Sequence, residues 1–460
     1  MPQDAKPLRH WLLDAAAGPG RALHAPGTVL PLDLLAAGTA LPSLRAALAD
    51  RSVLVLTGTQ LAAACALVEL DGLARRIVLA PPDLKVSDLP AVMAGATIDA
   101  VVCDGDPPDV GAGTLLAIPG PLAPLPAAAA REAARDTEWV LLTSGTTGLP
   151  KMVVHSRAGL AGAIDPAALA PVWGTFYDIR RYGGLQILLR ALIGGGAMVL
   201  SQAGEPLPEH LARLGAAGVT HLSGTPSHWR RALMTPEIAL VAPRVVRLSG
   251  EIADQAVLDS LRRAFPAAAI GHAYASTDAG VGFEVTDGRE GFPLACLAPG
   301  GPVAMKVEDG SLRIRSARTA SRYIGAASRP LADRDGFVDT DDLVERRGDR
   351  MHFVGRRSGV INVGGLKVHP EEVEAVINRH AAVRMSLVRA RANPITGAVV
   401  VADIVPEAPF ADAGAAQAGL KAEILELCRA ALPAHKVPVL LRFAEALAVT
   451  PAGKLARQNA

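Results

Sequence analysis

The chain of 460 residues sets 46 lysines and arginines against 45 aspartates and glutamates, a formal net charge of +1 with no long run of one sign, so charge offers no case for nucleic acid or anionic lipid as the main partner. Half of it is apolar and only 3% aromatic, as in an alanine-rich globular enzyme, and its longest apolar stretch, "LAAACALVEL", holds Glu69, stops at Asp71 and is too short to span a bilayer. One hydrophobic core rarely organises so long a chain, which predicts two or three structural units and small-molecule ligands.

In chain order, "MPQDAKPLRHWLLDAAAGPGR" lacks a long apolar core after its charges, so no secretory or transit segment is expected. From residue 52, "SVLVLTG", an alanine-rich helical run to about Ala74, then "RIVLA" and "IDAVVCD" alternate buried strands with helix. That alternation predicts a parallel sheet covered on both faces. Cys65, Cys103, Cys296 and Cys428 are far apart and have neither metal-site spacing nor the look of a disulfide framework. A reducing, cytoplasmic setting is expected, with each cysteine a small buried apolar side chain.

"LLTSGTTGLPK", residues 141–151, follows a β-rich run. It is not a Walker loop, because Gly145 and Gly148 are too close and Met152 follows the lysine, and it fails the spacing of the dinucleotide fingerprint. Its glycines let backbone N–H groups turn inward, Thr143, Ser144, Thr146 and Thr147 add hydroxyl donors, and Lys151 adds a cation, which together suit a polyphosphate. An ordinary flexible loop at a strand end is the alternative. "GGAMVLS", "VTHLSGTPS" and "RVVRLSGE" likewise close on Gly, Ser or Thr, and in open α/β sheets ligands bind beyond such strand ends. Between them "FYDIRRYGGLQ", residues 176–186, offers Asp178, Arg180 and Arg181 either for a polar or second carboxylate on a substrate or for surface salt bridges.

After about residue 300 "MKVEDGSLRIRS" alternates around Asp309-Gly310, predicting a half-solvated antiparallel hairpin in a smaller β section. Near residue 357 a third texture begins: "GVINVGG", a helix "PEEVEAVINRH" opened by Pro370, strands "MSLVRA" and "GAVVVADIV", and a helix "LKAEILELCRAAL". This predicts a compact α+β unit of about 100 residues. "APLPAAAAREAARD" and "FADAGAAQAG" read as surface loops or loose helices.

With "TSGTTGLPK", "YASTD" (274–278), "LSGE" (248–251), "GFVDTDDL" (336–343), "FVGRRSGVINVGGLKVHPEEVE" (353–374) and "VTPAGKLAR" (449–457) in that family's set of motifs, the chain resembles the adenylate-forming superfamily of acyl-CoA synthetases, luciferases and peptide-synthetase adenylation domains. The likeness covers residues from about 50 to 457. It implies nucleotide-phosphate contacts for Thr143, Ser144, Gly145, Thr146, Thr147, Gly148 and Lys151, and an adenine pocket from Gly250, Glu251 and Tyr274. Thr277 is implied at the phosphates, Asp278 at Mg²⁺ and Lys454 at the reacting carboxylate and α-phosphate, these three being the implied catalytic residues. Asp342 and Arg356 are implied at the ribose, and Gly364, Gly365 and Lys367 on a loop that meets the thiol cofactor. Ala275 and Asp278 stand where relatives carry glycine and glutamate, Asp341 replaces a glycine and is expected to be a plain surface charge, and Ser358 takes a hinge position that is more often aspartate or lysine.

The implied fold is α/β: a large N-terminal domain of mostly parallel sheets covered by helices plus a smaller β section (1–355), a hinge (356–358) and a small mobile α+β C-terminal domain (359–460). The implied activity is ATP-dependent activation of a small carboxylic acid as its adenylate, with transfer to coenzyme A. A carrier-protein phosphopantetheine arm as acceptor, and a non-catalytic nucleotide-binding relative, are the alternatives.

Overall fold

The computed structural model describes residues 6–14, 20–105, 109, 114–126, 129, 135–143, 149–162, 164, 171–325, 330–394, 396–410, 414–450 and 453–456. The sequence elements that position the site are β1 (Glu138–Thr143), β2 (Lys151–Ser156), α1 (Tyr182–Ile193), α2 (Pro226–Leu233), β3 (Val245–Ser249), β4 (Ala269–Ser276), β5 (Gly280–Val285), β6 (Val338–Arg347), β7 (Arg350–Arg356) and α3 (Pro370–Ile377).

Two large sheets are built as the buried, β-branched runs predict. In the first, six parallel strands run in the order β4, β3, His221–Gly224, Val172–Thr175, Ala197–Val199 and Ala22–Ala25, flanked by antiparallel β5 on one edge and Thr28–Pro31 on the other. The second sets β1, Arg76–Leu79, Ser52–Val55, Ala100–Val102 and Leu115–Ala117 parallel, with β2 antiparallel to β1 and Arg322–Ile324 antiparallel to β2. Fully apolar strands need cover on both faces. One core cluster supplies it between the sheets, joining Val53, Trp139 and Met198 to Leu67 of the helix Gln60–Leu70 and to Leu185 and Leu188 of α1. The alanines of Gln60–Leu70 let that helix lie buried on nearly every side.

Two acids that interrupt the apolar run are retained by pairing. Glu69 accepts from Arg9 at 2.6 Å and Thr39 at 3.0 Å. Asp71, buried, accepts from Arg157 at 2.9 Å, Trp139 Nε1 at 3.2 Å and the Leu8 amide at 2.9 Å, so it ties the strand leading into the glycine-rich loop to the helix that follows β2.

The smaller β section is an antiparallel five-stranded sheet, Phe292–Pro293, β7, β6, Ser311–Ser316 and Val303–Glu308, with the expected hairpin closing at Glu308 opposite Ser311. Beyond it lie the hairpin Ile361–Val363/Leu366–Val368, α3, the strands Val383–Asn393, Gly397–Pro406 and Leu440–Phe443, and the helix Ala415–Ala431, sharing a separate core of Val373, Ile377, Ile404 and Ile424. This helix takes in Ala415–Gly419, so part of "FADAGAAQAG" is regular helix rather than loose. Cys103 and Cys428 are buried, Cys65 and Cys296 half-buried, and none of the four is in a disulfide. Among the described residues no helix is long and apolar enough to cross a membrane.

The large and small domains meet through polar contacts. Asp254 N-caps the helix Gln255–Ala264, pairs with Arg230 of α2 at 2.5 Å and accepts from Asn378, the residue after α3, at 3.3 Å; Arg230 also donates to the Arg384 carbonyl at 3.2 Å.

Truncating one partner of a buried ion pair strands the other charge, so Asp71→Ala should lower unfolding free energy by about 3–5 kcal/mol in urea titrations. A loss under about 1 kcal/mol, the size of an exposed pair, would show that Arg157 finds water instead.

Candidate active site

The cleft is assembled from strand ends. Thr143 closes β1 and lies opposite Lys151, the first residue of β2. Ser144, Gly145, Thr146, Thr147 and Gly148 lie outside the described residues. The Lys151 ammonium stands 5.9 Å from the centroid of the Tyr323 ring, near the limit for a cation–π contact. The Tyr323 hydroxyl donates to Asp278 Oδ1 at 2.9 Å. Tyr323 thus connects the loop lysine to the expected metal carboxylate, a link that the sequence did not announce.

Thr277 and Asp278 follow β4. The Asp278 carbonyl accepts the Ala320 amide at 3.0 Å, and the Thr277 carbonyl accepts Nε2–H of His155 at 2.9 Å. Burial holds the His155 imidazole down to about 4, against the opposing pull of the Thr277 carbonyl and Asp278. It is therefore a neutral prop for the turn. Among the described residues no group of three His, Cys, Asp or Glu side chains could hold a metal. Asp278 alone fits a cation such as Mg²⁺, which takes one or two carboxylates and completes its shell with phosphates and water.

The third sheet supplies the other wall. Asp342 of β6 and Arg356 of β7 are register partners; Arg356 Nε donates to Asp342 Oδ1 at 3.0 Å and the Tyr274 hydroxyl to Oδ2 at 2.6 Å. The Tyr274 ring stacks on Phe353 at 5.2 Å between centroids. Burial first, and then the Asp342 charge, push the Tyr274 phenol well above its ordinary value, so it stays a donor. Asp341, expected to be a plain surface charge, is half-buried in the left-handed region at φ 62°, and its carboxylate accepts the Ser358 amide at 3.4 Å. A short acid tolerates the conformation that suits glycine there and also reaches the next segment.

Gly250, at φ 84°, and Glu251 follow β3. A Cβ at Gly250 would lie 3.5 Å from Lys454 Cε, an ordinary contact, so it is the positive φ rather than crowding that favours glycine beside the lysine. Glu251 accepts the Ser227 amide at 2.9 Å, the Ser227 hydroxyl at 3.0 Å and the Leu455 amide at 2.9 Å. Lys454 remains accessible to solvent in the cleft, yet surrounding protein pushes its ammonium below the ordinary lysine range; Arg356 and Arg181 push the same way, and Glu251 and Asp342 oppose. Lys454, Asp342, Arg356 and Glu251 are thereby brought together. Gly364, Gly365 and Lys367 stand apart on an exposed hairpin turn, with both glycines at positive φ and the Gly364 amide donating to the Thr396 carbonyl at 2.9 Å.

The segment 176–186 divides. Arg180 is buried and fully engaged, donating to Asp178 through Nε at 2.8 Å and Nη2 at 2.6 Å and to the Thr57 carbonyl, so it and Asp178 are structural rather than substrate-reading. Arg181 pairs with Asp83 at the cleft edge. A different arginine group lies deeper: Arg190 of α1 has Arg247 and Arg318 as neighbours, while the nearby Glu284 pairs with Arg247 at 3.0 Å. Burial, then Arg247, draws the Arg190 pKa down, with Glu284 opposing and Arg318 adding to the fall. Among the described residues the Arg190 and Arg318 side chains make no hydrogen bond or ion pair. Their spacing in sequence, across α1, β3 and a turn, carries no local signal.

The family model described as "AMP-binding enzyme" matches residues 52–323, and that for the "AMP-binding enzyme C-terminal domain" matches residues 372–454. A 2-succinylbenzoate–CoA ligase of Salmonella typhimurium is 31% identical over 261 residues, 54% of this chain and 53% of that protein. An isonitrile lipopeptide synthase of Streptomyces coeruleorubidus is 29% identical over 355 residues, 70% of this chain and 23% of that protein. The chain thus spans about half of the first relative and under a quarter of the second. In fold, a benzoate CoA ligase from Burkholderia xenovorans aligns over 98% of both chains with a TM-score of 0.80 at 20% identity.

Lys306, half-exposed and beside Glu308, has its pKa raised chiefly by the hydrogen bond to that acid, the reverse of Lys454. Amine acetylation followed by mass spectrometry across pH should therefore label Lys454 at lower pH than Lys306. The opposite order would mean that the cleft does not discharge Lys454.

Proposed function

The chain belongs to the AMP-binding enzyme family, and on that premise we propose that it joins a carboxylic acid to AMP with release of pyrophosphate and then passes the acyl group to a thiol, coenzyme A first among the candidates. The observation that carries this reading is the meeting of Lys454, from the end of the chain, with Glu251, Asp342 and Arg356 in one cleft. A carboxylate resists attack because its leaving oxygen is poor, and an acyl-adenylate cures that. In the first step a carboxylate oxygen bonds to the α-phosphorus as the bond to the pyrophosphate oxygen breaks; in the second a thiolate attacks the acyl carbon and AMP leaves.

The chain's part is positioning and charge neutralisation. Lys454 faces the charge that builds on the α-phosphoryl oxygens, Lys151 the outer phosphates, and the Asp342–Arg356–Tyr274 set the ribose. Asp278 would hold Mg²⁺, whose chemistry is to neutralise phosphate charge. The hinge is assigned to Arg356–Ser358, and the boundaries 1–355 and 359–460 follow from it. With Lys454 docked, the Gly364–Lys367 turn faces solvent, as rotation between two half-reactions requires. Lys454→Ala should reduce acid-dependent ATP–pyrophosphate exchange by on the order of 10² to 10³ while AMP still binds. Near-normal exchange would remove Lys454 from the chemistry.

We further infer that the acid carries a second anionic group. Neighbouring guanidiniums with too few counter-charges repel one another, and an anion between them relieves that. Arg190 lies nine residues along α1 from Arg181, about 14 Å at the helical rise, so a far carboxylate on an acid of on the order of 10 Å would reach it. The 2-succinylbenzoate named for one relative is such an acid. In pyrophosphate exchange across mono- and dicarboxylic acids, dicarboxylates should lead, and Arg190→Met should cost them at least tenfold while sparing monocarboxylates. A preference for purely aliphatic or aromatic monoacids would refute this. Transfer to a carrier-protein arm has the same reactive end as coenzyme A, and the synthase-type relative favours testing both thiols.

A further inference from the structure

The Glu251 carboxylate has more partners than the lining of an adenine pocket needs. Oε2 takes the Ser227 amide, and Oε1 takes both the Ser227 hydroxyl and the amide of Leu455, the residue after Lys454. On the other side of the lysine, the Thr225 hydroxyl donates to the Gly453 carbonyl at 2.6 Å while accepting the His228 amide as the cap of α2. Lys454 is thus bracketed by two hydrogen bonds, both to the first turn of α2 or to the acid bound there. The tail closes on itself: Thr450 N–H donates to the Lys454 carbonyl at 2.7 Å, Gly453 N–H to the Thr450 carbonyl at 2.8 Å and Ala456 N–H to the Ala448 carbonyl at 2.9 Å.

The seat is also tight. Gly453 has φ 72°, and a Cβ there would fall 1.8 Å from Cε1 of His228. That ring is fixed by the Thr225 amide, which donates to Nδ1 at 3.2 Å, and by Phe176 and Tyr177 at 5.5 and 5.7 Å between centroids. A turn with no side chain fits only in this register, and a one-residue slip would carry the ammonium away from Asp342 and Arg356.

We propose that Glu251 is a positioning residue for the first half-reaction: bridging Ser227 to Leu455, it clamps the Lys454 turn onto α2, and releasing that clamp is what frees the lysine before thioester formation. The reaction steps named rest on the function proposed above; the clamp itself does not. The test uses the full chain and begins without substrate. Hydrogen–deuterium exchange of the tail peptide reaching Ala456 is compared between the wild-type protein, Glu251→Ala, Glu251→Gln and Gly453→Ala, with AMP affinity measured on each. Glu251→Ala and Gly453→Ala should each speed exchange at the tail at least tenfold, Gly453→Ala should leave AMP affinity within about twofold, and Glu251→Gln, which keeps an oxygen for Leu455, should recover most of the protection. Wild-type tail exchange in Glu251→Ala, or an AMP affinity of Gly453→Ala that falls in step with its tail protection, would overturn the proposal, the second by making the seated tail part of the nucleotide site. With the acid that gives the fastest pyrophosphate exchange, Glu251→Ala should lose at least tenfold in that exchange and keep its rate of thioester formation from preformed acyl-adenylate. Equal loss in both would reduce Glu251 to a structural residue. If no acid supports exchange, the function fails while the tail-exchange result still decides the clamp.

Discussion

An ammonium set beside two guanidiniums stays put only if something other than charge holds it. Desolvation by the surrounding protein weakens the Lys454 charge most, Arg356 and Arg181 repel it, and Glu251 and Asp342 answer only in part. What anchors the lysine is main-chain hydrogen bonding on either side of it, through Thr225 to Gly453 and through Glu251 to Leu455. Both guanidiniums already have carboxylate partners, Arg356 in Asp342 and Arg181 in Asp83, so the partly desolvated Lys454 ammonium is the group left to answer phosphate oxygens.

The two sheets make this possible by ending their strands at one cleft. β3 and β4 deliver Gly250, Glu251, Thr277 and Asp278 from one sheet, and β1 and β2 deliver Thr143 and Lys151 from the other. The core between the sheets keeps the two rims in fixed register, and buried Asp71 bonds Trp139 of β1 to Arg157 beyond β2. Glycine serves in two ways here: Gly250 takes a positive φ beside Lys454, and at Gly453 the absence of a side chain leaves room for His228.

The motifs were legible because each is a contiguous strand end followed by small or charged residues, and the structure links Lys151 to Asp278 through Tyr323 and sets Asp342 against Arg356 near Lys454. Reading failed where a residue's meaning depends on a partner far away. Arg180 was open to either substrate or a salt bridge, and only the folded chain decides for the salt bridge, with Asp178 and the Thr57 carbonyl taking its donors. Asp341 read as surface charge although its backbone is left-handed and its carboxylate meets Ser358. The cap Thr225-Pro226-Ser227-His228 carried a local helix-start signal inside "LSGTPSH", but nothing nearby in the chain says that the tail docks on it.

The sequence by itself determined the alternation of strand and helix and the change of texture near residue 357, since backbone propensity and side-chain period are local properties. Tertiary structure alone decided which charges meet: that Tyr323 links Lys151 to Asp278, that Arg190, Arg247 and Arg318 gather near Glu284, and that Glu251 holds the Lys454 turn. Electrostatics and hydrogen bonding act through space over a few ångströms, and residues 204 positions apart, as Glu251 and Leu455 are, become neighbours only when the packed sheets and the seated tail close the distance.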